Sequence, residues 1–478
     1  MSAWFGKAAP ARVATDTVVP LRYWDETVVL KSLVVFSLSR FDAALDAKRL
    51  YESLERLISM EGWRKLGARL RKNAKFTPQR PAVTFSHAQH DIPIAAHPLA
   101  SRLPRASGNR PTVAGDPELF TTLARPEGTP TSIDDWLMQD RGLLGLHVVS
   151  FTDATLVVLY YSHTSFDLMG WGAIMTAWTH VLHGREHLVA KPVGGDPGSP
   201  DFDQLKDLGL MPTEPHVLVD HKMKMRTMIG YGARNVLDLA IKAKENRVVC
   251  IPKSFLEKLR AQSLEELKAN AQPGEVPFLS EGDVLAAWWA RLIASTSLSP
   301  DPKRTMSFQY AADARKALGL STDPSRAPYL GNLFTMLYTF MPARDMIAAP
   351  VSHTAREIRR SIVEQGARGQ VEAYCAMQRR EPGKMLPLLG DAGMQTVTMS
   401  NWRKADFYGH DFSPAALNGG DREKALYPSY IQTTYLPFKF PEGFTVTGQD
   451  SRGNYWLAGF RVAGLWAKIE KALDELEV

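Results

Sequence analysis

The stretch from Val157 to Trp178, VVLYYSHTSFDLMGWGAIMTAW, decides how the chain is read. Residues 154 to 161 are almost wholly apolar and rich in Val, Leu and Tyr, the pattern of a buried strand. Polar Ser162 and His163 close it. From Leu168 to Val181 apolar residues recur at helical spacing. His163 and Asp167 thus stand where a strand ends, a helix begins and a crevice can open. An imidazole there is placed to take a proton from a hydroxyl or amine, because its ordinary pKa of roughly 6.5 lies near working pH. The plainer alternative is a hydrogen-bonded histidine at a strand end.

Three segments read His-x-x-x-Asp: His87 to Asp91, His163 to Asp167 and His216 to Asp220. Context separates them. His87 lies in the polar, proline-bounded SHAQHDIP, and His216 follows Pro215 in a segment that reads as a connector. Only His163 follows a strong strand and precedes a long apolar helix.

The remaining composition narrows the function classes. A length of 478 residues suggests two or three domains, and 45% hydrophobic with 23% charged residues describes an ordinary globular chain with a sizeable core. The net charge of +6 is spread through mixed segments such as KRLYESLERL, so no basic run points to nucleic acid. Cys250 and Cys375 are the only cysteines and give neither metal spacing nor a disulfide framework. The N-terminal MSAWFGKAAPARVATD lacks the apolar core of a signal peptide, and VVLKSLVVFSL is interrupted by Lys31 and too short to span a bilayer. A soluble, reduced, cytoplasmic protein without a metal site is expected. GxSxG, HExxH, GxxxxGK and strand-linked GxGxxG motifs are absent.

Both halves mix strands and helices. VVLKSLVVFSLS reads as a strand and DAKRLYESLERLISM as a helix. LGLHVVSF (144–151) and ATLVVLYY (154–161) read as strands joined by the two-residue turn Thr152–Asp153. Residues 185–245 read as a crossover linker between an N-terminal α+β domain, 1–184, and a C-terminal one, 246–478. In the second half NRVVCIPKS, MSFQYAADAR, LFTMLYTF, QTVTMSNW, SYIQTTYLPF and GNYWLAGFRV read as strands. FLEKLRAQSLEELKANA, EGDVLAAWWARLIAS and GLWAKIEKALDEL read as helices. Ser280 with Asp283 three residues on has the form of a capping box.

Five segments, in order, carry a family resemblance. HTSFDLMG resembles the HxxxD motif of the BAHD acyltransferases, in their fungal secondary-metabolism, trichothecene acetyltransferase-like branch. FLSEGDVLAAWWARL, YAADARKAL, YLGNLF and SNWRKADFYGHDF resemble that family's Trp-bearing helix, NAVDxR, YxGN and DFGWG elements. Two departures stand out. Leu168, rather than Gly, follows the motif Asp, and the last element reads Asp406, Phe407, Tyr408, Gly409, His410 without its Trp. Condensation domains of the same fold use HHxxxDG, and Ser162 stands where their first His would be.

The resemblance implies an α+β fold of two similar chloramphenicol-acetyltransferase-like domains with the active-site channel at their interface. It implies an acyl-CoA-dependent O- or N-acyltransferase, most simply an acetyltransferase acting on a hydroxyl of a secondary metabolite. Acyl-CoA, with acetyl-CoA favoured, would be co-substrate, with no tightly bound cofactor, no membrane or nucleic-acid partner, and a monomeric state. His163 would be general base. Asp167 could orient the imidazole as in a triad, but in the family it pairs with an arginine, for which Arg315 is the match. Ser400 and Trp402 would contact the oxyanion or the acceptor. Arg315, Asp406 and Gly409 would be structural, and Ser280 either a helix cap or a cofactor contact. Two other readings stay open: a condensation-type enzyme using a carrier-protein thioester, and the same fold reused for cyclisation, rearrangement or ligand binding.

Overall fold

The computed structural model describes residues 21–68, 81–106, 108–195, 198–236, 241–274, 276–297, 303–417, 424–440 and 442–476. The N-terminal segment 1–16 and the end of GWRKLGARLRKN lie outside them. The described strands are β1 (Val34–Phe41), β2 (Val83–Gln89), β3 (Thr112–Gly115), β4 (Leu144–Ser150), β5 (Thr155–Ser162), β6 (Lys244–Ile251), β7 (Thr305–Asp313), β8 (Phe334–Pro342), β9 (Gln395–Asn401), β10 (Tyr430–Leu436), β11 (Gly443–Gln449) and β12 (Tyr455–Val462).

Two mixed sheets form, in the orders β10-β1-β5-β4-β2 and β3-β6-β12-β11-β9-β7-β8. Each takes a strand from the other half of the chain. β10, from the C-terminal half, pairs antiparallel with β1, and β3, from the N-terminal half, pairs with β6. The fold is therefore α+β with two sheets, and the chain crosses between them more often than a single linker at 185–245 would require.

The centre of the first sheet follows from its sequence. β5 is buried along its whole length, as its near-continuous apolar run predicts, and β1 beside it is equally buried although it carries Ser37, Ser39 and Arg40. The β4–β5 turn lies at Thr152–Asp153, with the Phe151 amide donating to the Ala154 carbonyl. Helix Ala47–Ser59 starts at Asp46, whose carboxylate accepts from the Lys48 and Arg49 amides. Its apolar stripe of Leu50, Leu54, Leu57 and Ile58 packs into the same core as helix Leu168–Leu182. The second sheet is covered by helix Glu281–Ser295, buried on almost every side, with Leu256 of helix Lys253–Ala269 and Trp466 and Ile469 of helix Leu465–Asp474 in its core.

Four elements depart from the sequence reading. Val28–Ser32 is a short helix, not the start of a strand, because the Thr27 side chain accepts from the Leu30 amide and turns the chain before β1. The polar stretch around His87 is the edge strand β2, half exposed beside β4. Two helices, Val351–Gln365 and Arg368–Arg379, occupy sequence that carried no clear signal. Among the described residues no helix is long and apolar enough to cross a membrane.

Candidate active site

β5 delivers His163 one residue beyond its last pairing. The His163 amide still donates to the Leu33 carbonyl (3.0 Å), so the backbone there is held in line with the sheet. A tight turn follows, closed by the Ser165 amide on the Ser162 carbonyl. Phe166 is fully buried, its ring centroid 4.1 Å from that of Tyr161. Gly170 is required by this packing: a Cβ there would lie 2.7 Å from Cβ of Phe166. That close approach places the glycine two residues after Leu168 rather than directly after Asp167.

Asp167 is the N-cap of helix Leu168–Leu182, accepting from the Gly170 amide at 3.1 Å. Its Oδ2 also accepts from the Leu333 amide (2.8 Å), and both oxygens take the Arg315 guanidinium at 2.9 and 2.8 Å. Burial alone would raise the Asp167 carboxyl. The Arg315 charge and these hydrogen bonds outweigh it and hold the group below its ordinary value. Arg315 binds Asp313 and the carbonyls of Tyr329 and Gly331 as well. Asp167 is thus saturated by structural bonds.

The partner of the imidazole is Asn332, whose Oδ1 lies 3.1 Å from His163 Nδ1. Asn332 Nδ2 donates to the His163 carbonyl (3.0 Å) and to Asp25 Oδ1 (2.9 Å). Both of those oxygens accept, so the amide's NH2 must face them and its oxygen must face the ring. Nδ1 therefore carries the ring hydrogen, a tautomer assigned from this network, and Nε2 is left with a lone pair. Burial lowers the His163 pKa from its ordinary value, more than His163's own carbonyl, Asp167, Asn332 and Asp25 raise it. A neutral imidazole with a basic Nε2 is the form a general base needs at neutral pH.

Behind this triplet lies a set of buried cations. Lys65 and Arg22 both donate to the Leu330 carbonyl, Arg22 at 3.1 Å. Burial first, then the Arg22 charge, push the Lys65 pKa down to about 7 despite Asp25 and Asp167.

Ser400 and Trp402 sit at the end of β9. The Trp402 indole N–H donates to Ser400 Oγ at 2.8 Å, so the Ser400 hydroxyl proton is the one this pair can direct elsewhere. Aromatic contacts link this wall to the His163 strand. Trp402 lies 6.3 Å from Tyr435 and 5.5 Å from Phe407, and Phe407 lies 5.8 Å from Trp171, which stacks on Tyr161. Tyr435 and Tyr161 both pair with Val35, so the transplanted β10 carries this aromatic wall into the first sheet.

Asp406 has φ 48°, and the Gly409 amide closes a turn on its carbonyl. A Cβ on Gly409 would lie 2.1 Å from the Asp406 carboxylate. His410 is buried with Nε2 near Thr176 Oγ1 (3.3 Å), and burial pushes its pKa down to about 4. Ser280 completes a capping box with Asp283 and accepts from Arg359 at 2.8 Å, so its oxygen is occupied within the fold. A surface depression lined by Arg49, Arg56, His183 and Pro414 includes none of these residues. Among the described residues no group of three His, Cys, Asp or Glu side chains could hold a metal ion.

Asn332 and Asp25 are the hydrogen-bonding partners around His163 that sequence reading did not assign. The signal for Asn332 was present in YLGNLF. Asp25, in YWDE, carries no periodicity or motif.

Comparison with known proteins places the chain in a family. The Transferase family model matches residues 132–417. The chain is 35% identical to acetyltransferase adrJ of Penicillium roqueforti, over 98% of this chain and 97% of that protein. It is 36% identical, over the same shares, to a Penicillium decumbens protein named transcriptional regulator calD. The fold is similar to that of F. sporotrichioides TRI101 complexed with coenzyme A and T-2, with a TM-score of 0.67 at 15% identity over 94% and 96% of the two chains. The chain belongs to the Transferase family, the BAHD-type acyltransferases.

Proposed function

We propose that the enzyme transfers an acyl group, acetyl in the simplest case, from acyl-CoA to a hydroxyl of a secondary metabolite. The observation that carries this reading is the neutral His163 with its Nδ1 engaged by Asn332 and its Nε2 lone pair available. His163 Nε2 removes the acceptor proton as the acceptor oxygen attacks the thioester carbonyl. The tetrahedral intermediate collapses, the C–S bond breaks, and His163 returns the proton to the CoA sulfur. General-base help of this kind is worth about 100- to 10,000-fold. The rest comes from positioning and oxyanion stabilisation. The Ser400 hydroxyl is the donor we assign to the oxyanion or acceptor, with Trp402 orienting it, while Asp167, Arg315, Asp406 and Gly409 hold the frame.

Names of relatives support this assignment: acetyltransferase adrJ at 35% identity and the O-acetyltransferase PaAT-2 of Phomopsis amygdali at 28%. TRI101, of similar fold, forms a complex with coenzyme A and T-2 mycotoxin. We further propose that two units, built mainly from 1–184 and 246–478 with β3 and β10 exchanged between them and 185–245 as the main crossover, enclose the channel, and that the enzyme works as a cytoplasmic monomer without a tightly bound cofactor. The test is mass spectrometry of hydroxylated natural products incubated with acetyl-CoA and enzyme. Acetylated product is expected. No product with any acceptor, and no effect of coenzyme A on the melting temperature, would contradict the reading.

A further inference from the structure

Residues Tyr329 to Leu333, which carry Asn332, are gripped at every position by a charged side chain from elsewhere in the chain. Arg315 takes the carbonyls of Tyr329 and Gly331. Arg22 and Lys65 take that of Leu330. The Asn332 amide donates to Asp25 Oδ1 (2.8 Å) and the Leu333 amide to Asp167 Oδ2 (2.8 Å). The Arg22 guanidinium also lies over the Tyr329 ring, 4.6 Å from its centroid, and a Cβ on Gly331 would come within 2.6 Å of Arg22 Nη1. Three of these five side chains, Arg22, Asp25 and Lys65, come from the first sixty-odd residues, and all three are buried. Burying ions is costly unless their bonds are well made, and here all five bond to one five-residue segment, Asp167 and Arg315 also pairing with each other.

Asp25 is set apart within this grip. One of its oxygens receives both the backbone and the side-chain N–H of Asn332. It therefore fixes where residue 332 sits and which way its amide faces. A flipped amide would turn its NH2 toward His163 Nδ1, and the imidazole would have to accept there and carry its hydrogen on Nε2. In that tautomer Nε2 has no lone pair for an acceptor proton.

We propose that Asp25 is a positioning residue for acyl transfer: through Asn332 it sets the tautomer and orientation of His163. The 3-10 turn Tyr23–Glu26 thereby completes the catalytic base from the far end of the chain. This inference rests on His163 being the base, and the two claims fail separately.

The test uses the full chain with 15N-labelled imidazoles, and its proton–nitrogen correlation spectrum at neutral pH. The His163 signals are identified by their loss in His163→Gln. Wild type is expected to show the hydrogen on Nδ1. Asp25→Ala is expected to shift His163 toward the Nε2-protonated form. Asp25→Asn, whose amide oxygen can accept the same two bonds, is expected to keep the wild-type tautomer. Thiol release from acetyl-CoA is expected to fall about 10- to 100-fold in kcat for Asp25→Ala, a size typical of misplacement at a distance, with KM for acetyl-CoA little changed and Asp25→Asn close to wild type. In an Asn332→Ala background, Asp25→Ala should cost nothing further. An Nε2-protonated His163 in wild type overturns the proposal without need of any Asp25 variant, should Asp25→Ala not fold. An unchanged tautomer in Asp25→Ala overturns it as well, leaving the base assignment intact. Full turnover in His163→Gln would instead remove the base assignment itself.

Discussion

Asp167 and Arg315, 148 residues apart, are joined by two parallel hydrogen bonds of 2.9 and 2.8 Å, with side chains 8% and 2% exposed. This bidentate pair locks the helix that follows His163 to the segment after β7. The Asp in the HxxxD motif thus acts on the frame of the site, while the imidazole is oriented by Asn332.

Removing one partner from a buried pair leaves the other uncompensated, at about 3–5 kcal/mol. Asp167→Ala should therefore lower the unfolding free energy by about that amount, and Asp167→Asn, which keeps acceptors for the Gly170 or Leu333 amide, by less. Urea or thermal unfolding measures both. Because the Asp167 carboxyl is held below its ordinary value, its contribution is full above the unfolded-state pKa of about 3.9 and is lost as pH falls through the lower folded value. An Asp167→Ala protein with unchanged stability and low turnover would instead favour a triad-like role.

The acid limb of kcat/KM should report His163. Burial sets its pKa below the ordinary value, against the opposing pull of Asp167 among others. Activity should hold from pH 7 down past roughly 6.5 and fall only at more acid pH. Asp167→Asn removes a negative charge that raises the histidine pKa, so the limb should move to still lower pH in that variant. A limb above pH 7 in wild type, or an upward move in the variant, would contradict the environment described.

Much of this site was legible because it is built from local patterns. The apolar run into Ser162, the helical spacing after Leu168, and the Ser280–Asp283 box are set by neighbours in sequence, and each forms as its residues dictate. The exchange of β3 and β10 between sheets was not legible, since strand pairing across hundreds of residues leaves no local trace. Val28–Ser32 misled for the opposite reason: its β-branched residues favour a strand, and the single cap at Thr27 with the turn into β1 overrides them. Asp25 and Lys65 were invisible because a buried charge is read in sequence as a surface one. What identifies them is the carbonyl or amide they meet in the folded chain.

Gly409→Ala should destabilise the Asp406–His410 turn modestly, by about 0.5–1.5 kcal/mol, the cost of an off-rotamer side chain, since its Cβ would meet the carboxylate of the exposed Asp406 and push it aside. Asp406→Gly in that background removes the obstructing group and suits the positive φ at this position. Recovery of part of the lost melting temperature in the double variant is expected. Equal stability of wild type and Gly409→Ala would show that the turn has room to spare.

Ser400 and Trp402 should separate cleanly. Ser400→Ala removes the assigned donor and should lower kcat by about 100- to 1,000-fold, the range for one oxyanion donor. Trp402→Phe leaves the hydroxyl in place and should cost far less in kcat. The reverse ranking, measured by steady-state kinetics, would move the donor role to the indole.

Whether His163 is the base is decided by His163→Ala, assayed for acetyl transfer from acetyl-CoA to a panel of hydroxylated natural products. Acetylated product is expected from wild type and nearly none from the variant, with melting temperature and coenzyme A binding retained. Near-wild-type product formation by His163→Ala would contradict it.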